Sequence, residues 1–535
     1  MTDLDQFNDL RDCLMNRTAP TPRKELEVKL ELAPMSLPAL KKIPLFRTRK
    51  LTPRRAIEVS VYFDTDKHKL RQNGVMLRVR RIGKRHIQTI KATGTSGTFE
   101  RDEWEAEIVG EKPDLHLARG TALEPLLNNK LRRRLKPLFE TRVQRTIYPI
   151  TNEAHAIALT VDRGTIDTGT RSLRLCEIEL ELERGKVAEL FGIARELFQA
   201  LPLRLAVKSK SERGYEILKD EHGLPVKAGP VTLPADEGTR NAFRIIGHAC
   251  LRQIVANEPA LIKGDPEGVH QMRVGLRRLR AGISLFSVLL PDSQTEAIKA
   301  ELKWLAGELG QARELEVLVS RVVTPVKQQR RHWRGMPSLS REFAERRDAA
   351  LGRVQEAVQS ARFRTLTLDV AAWLEAGQWM TPQDDLMRDR GDLPIASFAA
   401  DELTRRWRKV YKKGKALAQL DALSRHKLRI QAKKLRYALE FFASLFASKR
   451  AVKRRKQFLS ALERLQDGLG DLNDIAVHEK RITAMAIRRQ RARSTLTRAF
   501  AAGLLTGRED ARIESAMAAA TEAYAGLSKI KPFWR

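Results

Sequence analysis

Charged side chains occupy every second position in five short segments of the first 215 residues. Because side chains alternate between the two faces of a strand, each charged row lies on one face, and Leu, Val, Trp and Ile lie on the other. A single strand of this kind is typical of a solvated edge that blocks aggregation. Acidic and basic rows together instead indicate a closed sheet with a charged interior, which suits a metal ion and a polyanion. The segments are 25–29, 77–80, 103–107, 177–183 and 208–210.

The charge balance also points to polyanions. The chain has 99 Lys and Arg against 66 Asp and Glu, and the excess is about +11 up to residue 235 and about +22 beyond it. A field of this sign attracts nucleic acid, anionic membrane or inorganic polyphosphate. Nucleic acid is not favoured, because the basic segments have few aromatic residues for stacking and no helix-turn-helix or zinc-ligand spacing is present.

Composition predicts a cytoplasmic protein. The three cysteines are few and widely spaced, which favours free thiols in a reducing compartment. The acidic N-terminus has no apolar stretch, so no secretory signal is expected. No run of 18 apolar residues is present, so we expect no membrane-spanning helix. Oligomeric state is not predicted.

The pattern of the chain changes near residue 220. Alternation, β-branched residues and Gly or Pro punctuation predict strands over most of 22–218, after a polar tail at 1–21. Residues 219–235 are rich in Gly and Pro and are predicted to be a linker. A 3.6-residue period dominates 236–530 and predicts helices. The expected fold class is therefore α+β and multidomain, with a strand-rich tunnel or barrel followed by an all-helical domain.

The helical part contains an internal repeat. The pattern His-x-x-Arg-x-x-x-Arg-Arg-Leu-Arg at 270–280 recurs at 426–436 with Lys-Lys in place of Arg-Arg, an offset of 156. A second similar pair, 305–317 and 465–477, has an offset of 160. Two blocks in the same order indicate a duplication, with halves at about 236–390 and 391–530. On each helix, the His and the basic residues that follow it share one face.

The charged rows contain the groups needed for phosphoryl transfer. Carboxylates two residues apart, such as Glu25 and Glu27, can share one hard cation. Phosphoryl transfer needs mainly positioning, a metal and charge neutralisation, so no nucleophilic side chain is required. The basic candidates for holding phosphate are Arg78, Arg80, Lys91, Arg142, Arg145, Lys208 and Arg213.

Residues 22–218 resemble the CYTH domain of the triphosphate tunnel metalloenzymes. The resemblance rests on an ordered set of motifs: Glu-x-Glu-x-Lys at 25–29, Tyr-Phe-Asp-Thr at 62–65, Leu-Arg-Val-Arg at 77–80, the acidic strand at 103–105, Asp-Arg-Gly at 162–164, the acidic row at 177–181 and Lys-Ser-Lys-Ser-Glu-Arg-Gly-Tyr at 208–215. It implies an eight-stranded antiparallel tunnel. The family includes adenylate cyclases, thiamine triphosphatases and inorganic triphosphatases, so the fold alone does not select the substrate.

The resemblance also implies residue roles. Mg²⁺ or Mn²⁺ would be held by Glu25, Glu27, Glu177 and Glu179, with Asp162 as a further ligand. The predicted catalytic residues are Lys29, Arg78, Arg80, Lys91, Glu103 and Glu105. The predicted substrate-binding residues are Arg142, Arg145, Lys208, Lys210 and Arg213.

Residues 236–530 resemble the CHAD domain, a family that binds inorganic polyphosphate. One departure is visible, since the family usually has Asp where this chain has Glu314 and Glu316, whereas the second copy keeps Asp474. The predicted polyphosphate-binding residues are His270, Arg273, Arg277, Arg280, His426, Arg429, Lys433 and Arg436.

The combination predicts a metal-dependent inorganic triphosphatase joined to a polyphosphate-binding module, similar to bacterial triphosphatases that carry both domains. Its expected partners are triphosphate and polyphosphate, and it is expected in the cytoplasm or at polyphosphate granules. One alternative is a non-catalytic protein that the helical domain recruits to granules. Another is an adenylate cyclase or organic triphosphatase of the same fold.

Overall fold

The chain divides between Leu224 and Pro225 into two compact units, called here the barrel unit and the helical unit. The computed structural model describes residues 23–48, 52–92, 99–329, 335–486 and 492–534, so the tail predicted at 1–21 lies outside the described residues. No helix in these ranges is long and apolar enough to cross a membrane.

The barrel unit is built on one antiparallel sheet that closes on itself. Strand β1 pairs with β8 on one side and with β5 on the other, and the order around the barrel is β5-β4-β3-β2-β6-β7-β8-β1. The ninth strand, β9, adds to β1 outside this ring. The predicted eight-stranded antiparallel tunnel is therefore confirmed. The strands are β1 (Arg23–Glu31), β2 (Arg54–Asp64), β3 (Val75–Ile82), β4 (Arg85–Ala92), β5 (Glu100–Ile108), β6 (Lys136–Thr151), β7 (Ala156–Asp167), β8 (Ser172–Arg184) and β9 (Arg204–Ala206).

Alternation places charges inside the barrel and apolar residues outside it. On β1, Glu25, Glu27 and Lys29 are turned toward the interior, whereas Val28 and Leu30 are fully buried on the outer face. The helix Val187–Ala200 packs on this side of β8. The helices of the unit are α1 (Leu37–Leu40), α2 (Pro44–Thr48), α3 (Lys69–Gln72), α4 (Asn129–Arg134), α5 (Val187–Ala200) and α6 (Lys210–Leu218), with 3-10 turns at Pro34–Ser36 and Glu124–Leu126.

The helical unit repeats its own helix boundaries. Three helices of the first half begin at Thr239, Pro266 and Ser293. Their counterparts in the second half begin 156 residues later, at Ile395, Ala422 and Lys449. The first helices of the two halves also start side by side, since the Thr239 N–H donates to Leu393 O at 2.9 Å and the Ile395 N–H donates to Glu237 O at 2.8 Å. The predicted duplicated helical bundle is confirmed.

The helices of this unit are α7 (Thr239–Ala256), α8 (Glu258–Ile262), α9 (Pro266–Leu285), α10 (Ser293–Leu318), α11 (Thr324–Gln329), α12 (Met336–Gln359), α13 (Ala361–Ala376), α14 (Asp385–Asp392), α15 (Ile395–Gly414), α16 (Ala422–Phe441), α17 (Lys449–Ala486), α18 (Ala492–Asp510) and α19 (Ile513–Ser528). A π-helical turn, Val319–Val323, joins α10 to α11, and 3-10 turns occur at Ser287–Leu289, Gln378–Met380, Leu417–Gln419 and Ala443–Leu445.

Gly164 on β7 tests the close packing of the barrel. A methyl group there would lie 1.9 Å from the carbonyl oxygen of Arg142 on β6, so Gly164→Ala forces the two strands apart. We expect a loss of about 2 kcal/mol or more in the free energy of unfolding. Hydrogen exchange of the backbone amides of β6 and β7 in urea measures this loss of stability.

Gly192→Ala is the matched control, because Gly192 lies in α5 with nothing within 4 Å of the added methyl group. This substitution is expected to stabilise the helix by about 0.5–1 kcal/mol. Equal effects of the two substitutions would contradict the register of β6 and β7.

Candidate functional site

The interior of the barrel is a cavity of about 350 Å³ lined by both signs of charge. Its walls come from all eight strands of the closed barrel and from the start of α6. The predicted site residues that line it are Glu25, Glu27, Lys29, Arg78, Arg80, Lys91, Glu103, Glu105, Arg145, Glu179 and Lys210. The charged face of each strand therefore meets the others in one space.

One acidic group in this unit is already neutralised by protein cations. Oxygens of Asp162, Glu177 and Glu179 lie within 4.8 Å of one another. The Lys210 ammonium contacts all three, at 2.7, 2.5 and 2.9 Å respectively, and Arg145 donates to both oxygens of Asp162 at 2.8 and 2.6 Å. Burial lowers the pKa of Lys210, but these carboxylates raise it well above its ordinary value. Asp162 and Glu177 are fully buried and do not line the cavity.

A second acidic group has less compensation. Glu181 on β8 lies opposite Glu27 on β1, and both line the cavity beside Glu25. The pKa of Glu181 is raised to about 7, mainly by burial and also by the charges of Glu25 and Glu27, although Arg23 lies 2.9 Å away and opposes the shift. Both burial and the neighbouring carboxylates therefore disfavour the charged form of Glu181. Carboxylates in this state suit a divalent cation, which prefers oxygen ligands.

Sequence reasoning placed Glu181 in the acidic row but did not assign it to the metal. The alternation of side chains along a strand already indicates that Glu181 shares one face of β8 with Glu177 and Glu179. Which of the three lies opposite Glu27 depends on the register of β1 and β8, which pairs Glu31 with Glu177 and Lys29 with Glu179.

The cations of the cavity are held by carboxylates across the strands. Arg80 donates to Glu105 at 2.8 Å, and Arg78 lies 3.8 Å from Glu105. Glu58 on β2 was not predicted as a site residue, yet it is buried and lies 3.7 Å from Arg80 and 3.6 Å from Arg145. Lys29 contacts Glu27 and Glu179, and Lys91 contacts Glu25 and Glu103. These pairs fix where the guanidinium and ammonium groups point.

Three predicted substrate-binding residues do not reach the cavity. The Arg142 side chain is 60% exposed on the outer face and lies 3.8 Å from Glu140. Lys208 pairs with Glu216 at 2.7 Å. Arg213 is buried against Glu177, which itself does not line the cavity.

Helix α6 explains the motif at 208–215. Ser209 forms a capping box with Glu212 at the start of the helix, which leaves the next side chain, Lys210, inside the barrel. One turn later, the Tyr215 hydroxyl donates to Asp64 at 2.7 Å. A methyl group at Gly214 would lie 2.2 Å from the Phe139 ring, so only glycine lets the helix sit this close to β6.

The helical unit contains its own cavity, of about 620 Å³, called here the basic pocket. The two repeated stripes face each other across it: His270, Arg273 and Arg277 on α9, and Arg429, Lys433 and Arg436 on α16. Two predicted residues lie elsewhere, since Arg280 is exposed outside the pocket and His426 is exposed and pairs with Asn473 at 2.6 Å. Arg313 and Arg321, which sequence reasoning did not single out, also line the pocket.

The second repeated motif, at 305–317 and 465–477, contains the glycines that position arginines of the first motif, at 270–280 and 426–436. A methyl group at Gly310 would lie 2.9 Å from the Arg273 guanidinium, and one at Gly470 would lie 3.9 Å from that of Arg429. In each half, the glycine therefore leaves room for the arginine of the facing helix to reach the pocket. The fit is tighter in the first half. The departure at Glu314 changes its partner, because Glu314 contacts Arg481 at 2.5 Å whereas Asp474 faces Arg429 at 3.7 Å.

Positive charge in the basic pocket is not fully compensated. The pKa of Lys433 is lowered to about 7, mainly by burial and also by the charges of Arg429 and Arg277, despite the nearby Asp474. A lysine whose charged form is disfavoured by burial and by neighbouring cations gains charge when an anion binds. The pocket is therefore built to accept an anion.

Family models match both units: one for the CYTH domain matches residues 23–215, and one for the CHAD domain matches residues 245–483. An inorganic triphosphatase from Haemophilus influenzae is 28% identical over 200 residues, 36% of this chain and 54% of that protein. The chain thus spans about half the length of this relative.

Two solved structures resemble larger parts of the chain. The CHAD domain from the plant Ricinus communis is 30% identical with a TM-score of 0.49, over 58% of this chain and 98% of that one. PptA from Streptomyces chartreusis is 19% identical with a TM-score of 0.38, over 54% of this chain and 100% of that one.

Lys433 provides a direct test of the charge in the basic pocket. Competitive amine labelling of the full chain is expected to give Lys433 a half-point near pH 7. Arg429→Gln removes a neighbouring cation and should move that half-point to higher pH. The exposed Lys427 on the same helix is the control and should label identically in both proteins. An unchanged labelling half-point for Lys433 would show that the charge of Arg429 does not lower the pKa of this lysine.

Proposed function

We propose that this chain, which contains a CYTH domain followed by a CHAD domain, hydrolyses inorganic triphosphate to pyrophosphate and phosphate with Mg²⁺ or Mn²⁺. The observation that carries the proposal is the cavity of the barrel unit, where the undercompensated carboxylate Glu181 lies in the same space as Arg78, Arg80 and Lys91. The similarity to an inorganic triphosphatase supports the choice of substrate.

We place the metal at Glu25, Glu27 and Glu181. These carboxylates line the cavity, and the charges of Glu25 and Glu27 add to the burial that raises the pKa of Glu181. Glu179 lines the same wall, but Lys210, Lys29 and Arg145 hold its pKa well below its ordinary range although burial raises it, so its charge is already matched. A divalent cation bound here would neutralise phosphate oxygens and make a nearby water more acidic.

The basic residues of the chain would bind the triphosphate itself. Water adds to a terminal phosphorus, the bond from that phosphorus to the bridging oxygen breaks, and pyrophosphate leaves while the proton of the water passes to solvent. Negative charge grows on the bridging oxygen as this bond breaks. Arg78, Arg80 and Lys91 would stabilise that charge, because their guanidinium and ammonium groups are already fixed by carboxylates.

The CHAD domain would bind inorganic polyphosphate in the basic pocket. Support comes from the two facing stripes and from the lowered pKa of Lys433. A chain of phosphates offers many oxygens to several guanidinium groups at once. Binding of this kind would also bring the protein to polyphosphate granules.

Glu181→Gln tests the placement of the metal. Loss of this carboxylate should lower triphosphate hydrolysis by on the order of a hundredfold and weaken Mn²⁺ binding, measured by phosphate release and by electron paramagnetic resonance. Glu183→Gln is the control, because Glu183 follows on the same strand but does not line the cavity. Full activity and Mn²⁺ binding in Glu181→Gln would refute the assignment.

Charge reversal tests the basic pocket. Arg273→Glu combined with Arg429→Glu should weaken polyphosphate binding by on the order of a hundredfold at about 0.15 M salt, without loss of triphosphate hydrolysis. Arg280→Glu is matched in charge and lies on α9 outside the pocket, so binding should remain near that of the unmodified protein. Equal effects of Arg273→Glu and Arg280→Glu would indicate a diffuse basic surface instead of a pocket.

A further inference from the structure

The basic pocket contains a histidine that belongs to neither repeated stripe. His478 lies on α17, is 5% exposed, and lines the pocket. Its position in the first half of the repeat is occupied by Leu318. The duplication therefore does not account for this side chain, and packing alone does not require an imidazole.

A buried carboxylate holds one edge of the His478 ring. Glu509 on α18 is 3% exposed, and its Oε2 lies 2.8 Å from Nδ1 of His478. Arg512 donates to the other oxygen of Glu509 at 3.0 Å. Burial raises the pKa of Glu509, but the hydrogen bonds from His478 and Arg512 hold it below its ordinary value. Glu509 is therefore an ionised carboxylate, which only accepts hydrogen bonds. Nδ1 of His478 must then be the protonated ring nitrogen that donates to it.

The other edge of the ring is available to a ligand. Within the described residues, Nδ1 with Glu509 is the only hydrogen-bonding contact of the His478 ring, so Nε2 has no partner there. His478 lines the pocket and its Nδ1 is taken by Glu509, so Nε2 is the ring nitrogen that remains for a ligand of the pocket. A polar atom in this position needs a partner when a ligand displaces water from the pocket.

We propose that His478 is a direct binding residue for a phosphate oxygen of the polyanion and that Glu509 is its positioning residue. This inference rests on the proposed binding of polyphosphate in the basic pocket. When the anion binds, Nε2 takes up one proton from solvent, and the N–H formed there donates a hydrogen bond to the phosphate oxygen. The resulting imidazolium lies between a carboxylate and a phosphate, so both of its N–H groups have anionic acceptors.

Binding is then linked to proton uptake. A bound anion favours the protonated form of an imidazole, so the contribution of His478 to binding is expected to be larger at low pH than at high pH. Other groups of the pocket titrate or set the field, and Lys433 in particular also gains a proton when an anion binds. They are His270, Arg273 and Arg277 on α9; Arg313 and Glu314 on α10; Arg321 in the π-helical turn; Arg429, Lys433 and Arg436 on α16; Asp467, Asp471 and Asp474 on α17; and Arg512 beyond α18.

The contribution of His478 is isolated by comparing variants of the full chain. Calorimetric titration with inorganic polyphosphate in two buffers of different ionisation enthalpy gives the number of protons taken up. His478→Gln should lower this uptake at pH 7 and weaken binding on the order of tenfold at pH 6, with a smaller loss at pH 8. Glu509→Gln should lower the uptake as well, because an amide does not stabilise an imidazolium.

The control is His116→Gln, because His116 is an exposed residue of the barrel unit and its loss should leave proton uptake unchanged. A ¹⁵N spectrum of histidine-labelled protein is a second measurement that needs no variant, since the His478 ring should move to the imidazolium pattern when polyphosphate is added. Unchanged affinity and uptake in His478→Gln, or an unmoved ring signal while polyphosphate binds, would overturn this proposal alone. Failure of the unmodified chain to bind polyphosphate would overturn the proposed function of the pocket as well.

Discussion

Compensation of buried charge inside the closed barrel is the constraint on which the rest of the first unit depends. A charge taken out of water is costly unless an opposite charge and hydrogen bonds replace the water. Lys210 meets this requirement by contacting three carboxylates at once, and Arg145 meets it by donating to both oxygens of Asp162. The sheet closes because each acidic row finds a basic partner across the interior. Removal of one member would leave the others uncompensated.

Both cavities lie where this compensation is incomplete. In the barrel unit, negative charge is in surplus around Glu181, which calls for a cation. In the helical unit, positive charge is in surplus around Lys433, which calls for an anion. The two units thus use opposite imbalances, and both imbalances suit phosphate chemistry, because a polyphosphate substrate is an anion that travels with divalent cations.

Much of this architecture was predictable from local patterns, and the failures have physical causes. The period of two placed Glu25, Glu27 and Lys29 on one face, and the 156-residue offset predicted the helical halves. Arg142 and Arg145 are three residues apart, so a strand must turn them to opposite faces, and only Arg145 lies inside. The pairing of His478 with Glu509 joins residues 31 positions apart on different helices, and no local pattern encodes it.

Phosphate release by the purified full chain tests most directly whether the barrel cavity is a metal-dependent triphosphatase site. Inorganic triphosphate, ATP and long-chain polyphosphate would be supplied in parallel, with and without Mg²⁺ or Mn²⁺. We expect rapid hydrolysis of triphosphate that requires the metal, and slow or no turnover of the other two. Absence of turnover on all three while polyphosphate still binds would contradict it and leave a binding protein, and formation of cyclic AMP from ATP would instead indicate a cyclase.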